Sequence, residues 1–139
     1  MMCCRQTVSE SLALCIVALL MAGCNSQANT PAPTGAPGAK EALTDLAGLL
    51  QYLKEENKQP PARVEEIEPV EPLFQAAYLG LIRSEIIYIW GMALDPSAID
   101  KVLAYEKAAE SESGWVLMQD GSIKTMEASG LQSAPKATK

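Results

Sequence analysis

The sequence predicts an α+β domain, with one N-terminal helix packed on an antiparallel β-meander of three to four strands. Three observations carry this expectation. Leu43, Leu46, Ala47, Leu50 and Leu53 recur at i, i+3, i+4, i+7 and i+10, one stripe of a helix. From Glu85 onward the apolar period falls to two. Asp120-Gly121 separates two short apolar runs, as a hairpin turn does.

The helix is expected over residues 41–57, with Asp45, Lys54, Glu55 and Lys58 mostly on its polar side. Gly48 costs about 1 kcal/mol against alanine in a helix, and its bare backbone suits close packing on the sheet. Asn57 is the expected C-terminal cap, and Pro60-Pro61 forbid continuation. Residues 62–71 read as a short helical turn followed by extended chain, anchored by Val64 and Ile67. Residues 73–82 fit a helix or a strand equally. Residues 85–90 read as a central strand, with Ile86, Tyr88 and Trp90 on one face and Ile87 and Ile89 on the other. Gly91 ends it, and Asp95-Pro96-Ser97 marks a turn. Residues 101–106 form the next strand, with Val102 and Ala104 opposite Leu103 and Tyr105. In the closing hairpin Asp120-Gly121 is expected as a two-residue type I′ turn. That turn pairs Met118 with Ile123 and Val116 with Thr125, and sets all four side chains on one face, which is expected to meet the helix or the core.

The chain of 139 residues carries 11 Lys+Arg against 17 Asp+Glu, a net charge of −6. Arg5 and Glu10 are the charges of residues 1–23, so the balance of the remainder is unchanged. An acidic chain without a basic cluster does not neutralise phosphates, and no nucleic-acid partner is expected. It also lacks a polybasic patch for anionic lipid. The apolar run 12–23 is 12 residues long, whereas a bilayer-spanning helix takes about 20. The run ends in Leu20-Met21-Ala22-Gly23-Cys24. Two small residues before a cysteine, at the end of a short apolar segment, read as a lipobox. Residues 1–23 are then a bacterial lipoprotein signal peptide, and Cys24 takes the lipid. An ordinary secretory signal wants an A-x-A-like site beyond the run, which residues 25–29 match poorly. All four cysteines, Cys3, Cys4, Cys15 and Cys24, lie in this region. Residues 24–39 are the lipidated cysteine and a flexible linker rich in Pro, Gly and Ala, spanning up to roughly 45 Å when extended. Residues 40–132 form the small domain, and residues 133–139 are expected as a disordered tail. Asn25, rather than Asp, follows Cys24. By resemblance to lipoproteins of two-membrane bacteria, this favours the outer membrane, with the domain in the periplasm.

The remaining chemistry is sparse. There is no histidine and no C-x-x-C pair, so no cofactor and no zinc, haem or 2-His-carboxylate iron site is expected. Glu65, Glu66, Glu68 and Glu71 form an acidic run, either a cation site or a solvated loop; the solvated loop is the favoured reading, since no calcium-loop spacing is present. Ser111, Ser113, Ser122 and Ser129 lack a histidine base, which leaves only a Ser–Lys arrangement with Lys101, Lys107 or Lys124. Asp95 and Asp100 are candidate paired carboxylates, though turn and cap roles suit them better. Trp90 and Trp115 admit a carbohydrate platform, but both sit in strand patterns that favour packing. No catalytic site is expected, and Asp120 and Gly121 are assigned a structural turn.

Several of these words resemble the heads of pseudopilin-like proteins of planctomycetes and related bacteria. They are Gln59-Pro60-Pro61 and Val64-Glu65-Glu66-Ile67 after the helix, then Ile89-Trp90-Gly91, Val102-Leu103-Ala104-Tyr105-Glu106-Lys107, and 114–123 with its Asp-Gly. That family pattern ends in a histidine, nine residues and Asp-Gly; here Glu110 holds the histidine's place. The resemblance covers roughly 41–127. It implies a pilin-head-like fold and a link to type II secretion or pilin-like systems. The polymerising N-terminal helix of pseudopilins is replaced here by the lipobox and linker. The expectation is therefore a membrane-tethered, non-enzymatic lipoprotein that meets an envelope protein partner. The alternatives are a domain that binds a small ligand or cation, and an envelope hydrolase.

Overall fold

The computed structural model describes residues 38–139. The expected signal peptide, Cys24 and nearly all of the linker lie outside the described residues. The order of elements is α1 (Ala39–Glu55), two 3-10 turns (Val64–Glu66 and Glu68–Leu73), α2 (Gln75–Ile82), β1 (Ile86–Tyr88), β2 (Val102–Glu106), a 3-10 turn (Lys107–Glu110), β3 (Gly114–Met118), β4 (Ile123–Met126) and α3 (Ala128–Ser133). The strands form one antiparallel sheet in the order β1-β2-β3-β4. This is the α+β fold the sequence predicts, with α1 on one face of the meander.

α1 starts at Ala39, which is 1% exposed, so the domain takes in the last residue assigned to the linker. Its buried stripe is Ala39, Ala42, Leu43, Leu46, Leu49 and Leu50. The helix closes in a Schellman turn. The Asn57 amide donates to Lys54 O, the Lys58 amide donates to Leu53 O, and Asn57 sits at φ 54°. Gly48 faces the Phe74 ring at 3.5 Å from a notional Cβ, not the sheet. Asp45, read as a surface residue, reaches across to α2. Its Oδ2 accepts from the amides of Ala76 at 2.9 Å and Ala77 at 3.2 Å. Those are two of the amides that a helix start leaves without partners, and a carboxylate there also suits the helix dipole.

Residues 62–73 contain two 3-10 turns rather than a turn and extended chain, with Ile67 as the buried anchor. The ambiguous stretch resolves as helix α2. Gly80 lets α2 close on α1, since a Cβ there would stand 3.0 Å from Ala42 Cβ and 3.2 Å from Ile86 Cγ1. α2 ends in a second Schellman turn, with Ser84 at φ 56° and the Glu85 amide donating to Gly80 O.

Three strand expectations are corrected. First, β1 is an edge strand, not a central one. Both its faces are apolar because Ile86 and Tyr88 join the α1 core while Ile87 lies opposite Tyr105. Second, β2 does not alternate simply. A register shift between Val102 and Ala104 turns Leu103 and Ala104 both toward α1, and leaves Val102 and Tyr105 on the other face.

Third, the hairpin is not a type I′ turn. Leu117 pairs with Ile123 and Val116 with Lys124, and the Met118 amide donates to Ser122 O. The loop is therefore the three residues Gln119-Asp120-Gly121. Of the two expected turn residues only Gly121 has positive φ, at 91°, and its amide donates to Met118 O. This is a type I turn followed by a left-handed glycine, the usual three-residue hairpin. The slip of one residue separates side chains expected together. Trp115, Leu117 and Ile123 pack in the α1 core, and Val116, Met118 and Met126 on the far face.

The tail is also corrected. Residues 133–139 are not free: the Val102 amide donates to Pro135 O and the Ala137 amide to Val102 O, both at 2.8 Å. Lys136 thus bridges Val102 in parallel, beyond the end of β1, and Ala137 is 4% exposed.

Candidate functional site

The far face of the sheet gathers the most polar chemistry. β2 delivers Tyr105 there, the following 3-10 turn delivers Lys107 and Glu110, and the docked tail delivers Lys136. The Tyr105 hydroxyl donates to Glu110 Oε1 at 3.0 Å, and Lys107 Nζ to Glu110 Oε2 at 2.5 Å. Lys136 Nζ donates to Leu131 O at 2.6 Å and stands 5.2 Å from the centre of the Tyr105 ring. Tyr105, Glu110, Leu131, Gln132 and Lys136 line an open cavity of about 320 Å³. Hydrogen bonds from Lys107 and then Tyr105 hold the Glu110 carboxyl below the usual range. Burial, then the Glu110 hydrogen bond and charge, push the Tyr105 phenol up. Burial lowers the Lys136 ammonium, and Glu110 opposes that shift. The phenol is thereby moved away from proton exchange near neutrality. The cluster is built to hold polar groups in place and to fasten the tail.

A second cavity, about 300 Å³, lies at the C-terminal end of α1 among Leu50, Leu53, Lys54, Asn57, Lys58 and Ala93. Two buried polar side chains stand near the ends of strands. Glu106 is 1% exposed; its Oε2 accepts from the Trp115 amide at 3.1 Å, and its Oε1 has no partner among the described residues. Gln119 Nε2 donates to Ala93 O at 3.2 Å, while its Oε1 is likewise unmatched among them.

The residues singled out in the sequence are scattered. Asp120 Oδ1 accepts from the Ser122 amide at 2.9 Å and hydroxyl at 2.6 Å. Asp95 Oδ1 does the same with Ser97, at 2.9 and 2.7 Å. Both carboxyls are held below the usual range, first by the serine hydroxyl and then by the serine amide. Ser122 is thus bound to a turn carboxylate, and Asp100 lies exposed in the Asp95 loop. Ser111 donates to Ala108 O at 3.3 Å, and the Ser129 carbonyl accepts from Ser133. Lys107 is taken by Glu110. Glu66 of the acidic run turns inward to its own loop, accepting from the Ala62 amide at 2.9 Å and from Arg63 Nε at 3.2 Å. Glu71 accepts from Gln75 Nε2 at 3.4 Å. Among the described residues no three His, Cys, Asp or Glu side chains converge as a metal site. Trp90 packs edge-on to Tyr88 at 5.0 Å, and Trp115 lies in the α1 core under Lys40. The two indoles thus serve different contacts.

Glu106 and Lys136 were missed in the sequence. A glutamate closing an apolar strand was a usable signal for Glu106. Nothing in Pro135-Lys136-Ala137 announces a docked strand. The described chain contains no helix long and apolar enough to cross a membrane. The chain matches no family model, no curated protein and no solved structure.

Proposed function

We propose that this chain is a lipid-tethered, non-enzymatic accessory or interaction module of the cell envelope, held by acylated Cys24 and meeting an envelope protein partner. The observation that carries the reading is Leu20-Met21-Ala22-Gly23-Cys24, followed by a Pro- and Gly-rich stretch that ends where α1 begins. The local bonding of Asp95, Asp120, Ser122 and Lys107 supports a scaffold role for residues that an enzyme would need elsewhere. The resemblance to pseudopilin heads supports a secretion-related partner. Asn25 supports the outer membrane, with the head in the periplasm. A second reading, small-ligand binding, draws on the cavity beside Tyr105, Glu110 and Lys136.

Replacing Cys24 with serine tests the tether. The Cys24→Ser chain is expected in the soluble fraction with its head folded, while the native chain pellets with membranes. A serine variant that still pellets refutes the tether.

A further inference from the structure

β1 is shorter than β2, and the difference leaves a gap in the sheet. β1 ends at Tyr88; the Ile89 amide still donates to Leu103 O, and the chain then turns away at Gly91, φ 79°. β2 begins at Val102, beyond the reach of β1. In a regular strand successive residues aim their backbone groups at opposite neighbours. Leu103 O already faces the β1 side, so Val102 should face β3. The register shift between Val102 and Ala104 prevents this, and both the amide and the carbonyl of Val102 point to the β1 side. Lys101 O, one residue earlier, is back on the β3 side, where it accepts from the Gln119 amide. The irregularity thus presents one donor and one acceptor to the place that β1 has left.

The docked tail takes both. Pro135 O accepts from the Val102 amide, and the Ala137 amide donates to Val102 O. A peptide that adds itself to a sheet binds in this way: main-chain bonds give affinity, and alternate side chains give specificity. Ala137 enters the α1 core, and Lys136 turns to the far face beside the Tyr105 ring. The hold is slight. Of residues 134–139 only Ala137 is buried, and Pro135, Thr138 and Lys139 are exposed. The Lys136 ammonium bonds to Leu131 O in the preceding helix rather than to the sheet, and an open cavity of about 320 Å³ remains beside it.

We infer that the docked tail is a releasable strap over a peptide-acceptor slot at Val102. The occupant that replaces it is an extended segment of a second polypeptide with the same chemistry, a lysine followed by a small residue. Its main chain pairs with Val102, its ammonium lies against Tyr105, and its small side chain fills the place of Ala137. The slot is where the envelope protein partner proposed above docks. It therefore rests on that reading, but it needs no tether.

Two measurements on the full chain in detergent test it. In the native chain the Val102 and Ala137 amides are expected to exchange together, roughly ten-fold or more faster than the Met118 amide bonded across the hairpin. Val102 exchanging only as slowly as Met118 overturns the strap. The second measurement adds a fluorescein-labelled, end-blocked peptide of residues 133–139. The Ala137→Asp chain, whose own tail no longer suits the apolar site, should bind it saturably. The native chain should bind it roughly ten-fold or more weakly, because its tail competes at about millimolar effective concentration. A peptide carrying Lys136→Glu should bind several-fold more weakly than the native peptide. If Ala137→Asp loses its near-ultraviolet circular dichroism, the Lys136→Glu chain, which sets a like charge near Glu110, takes its place. Absence of binding to a folded variant, or equal binding by native and variant chains, overturns the slot. That failure leaves the partner and tether readings standing, since a partner can meet another surface and Cys24→Ser tests the tether separately.

Discussion

The two faces of the sheet are built by different means. On the near face one helix of 17 residues lays a continuous apolar stripe over Leu103, Ala104 and Leu117, and α2 extends that core through Ala77. On the far face the cover is pieced together from a six-residue helix, a 3-10 turn and a tail. Its buried residues are Val102, Ala109, Val116, Met118 and Leu131. The near face is stabilised by burial inside one long element. The far face depends on a C-terminal segment held by two backbone bonds to Val102, by Leu131 and by the bonding of Lys136 to Leu131 O.

The largest effect expected from this contrast is a pair of truncations. Leu46→Ala removes a fully buried side chain from the rigid face and should cost about 2–5 kcal/mol. Leu131→Ala should fall at the low end of that range, about 2 kcal/mol, because a short terminal helix can relax into the space. Denaturant unfolding of both variants measures the difference. Equal losses would mean that the far face is as rigid as the near one.

Next comes the hairpin that joins the faces. Gly121→Val places a β-branched residue at φ 91° and should cost about 1–3 kcal/mol, read as a lowered denaturant midpoint. A neutral result would remove the left-handed turn residue and with it the three-residue loop.

An alkaline titration compares a phenol on each face. Burial raises Tyr88, whose hydroxyl donates to Met92 O, and burial with Glu110 raises Tyr105. Each raised phenol stays neutral in the folded state where the unfolded chain ionises. Its contribution is complete below the ordinary tyrosine value of 10.0 and is lost as pH rises through the folded-state value. Stability should therefore decline above about pH 10, and Tyr88→Phe should flatten that decline more than Tyr105→Phe. The reverse order would place the deeper phenol on the far face. The smallest expected effect is a gain. Ser84→Gly relieves a left-handed residue at φ 56° and should add about 0.5–1 kcal/mol, less the entropy glycine regains when unfolded.

The near face was legible in the sequence because burial by a long helix writes a periodic stripe. Leu43, Leu46 and Leu50 follow it, as does the cap at Asn57. The hairpin's existence was legible too, but its register was not. Gly121 at φ 91° serves the second position of a two-residue turn and the third of a three-residue loop equally, and that one residue decides which side of β3 meets α1. α2 carries no period because it is apolar throughout. The irregularity after Val102 has no residue signature, and the docked tail buries Ala137, too small to mark a core position. The Tyr105, Glu110 and Lys136 cluster is assembled from residues up to 31 apart, so its geometry depends on that unannounced tail.

The proposed tether is read from the sequence alone, ahead of the first described residue. Intact mass spectrometry of the chain extracted from membranes tests it most directly. The expected species begins at Cys24 and carries the added mass of a diacylglycerol, with or without a further acyl chain. A mature protein that still begins at Met1, or one cut elsewhere and free of lipid, would contradict it.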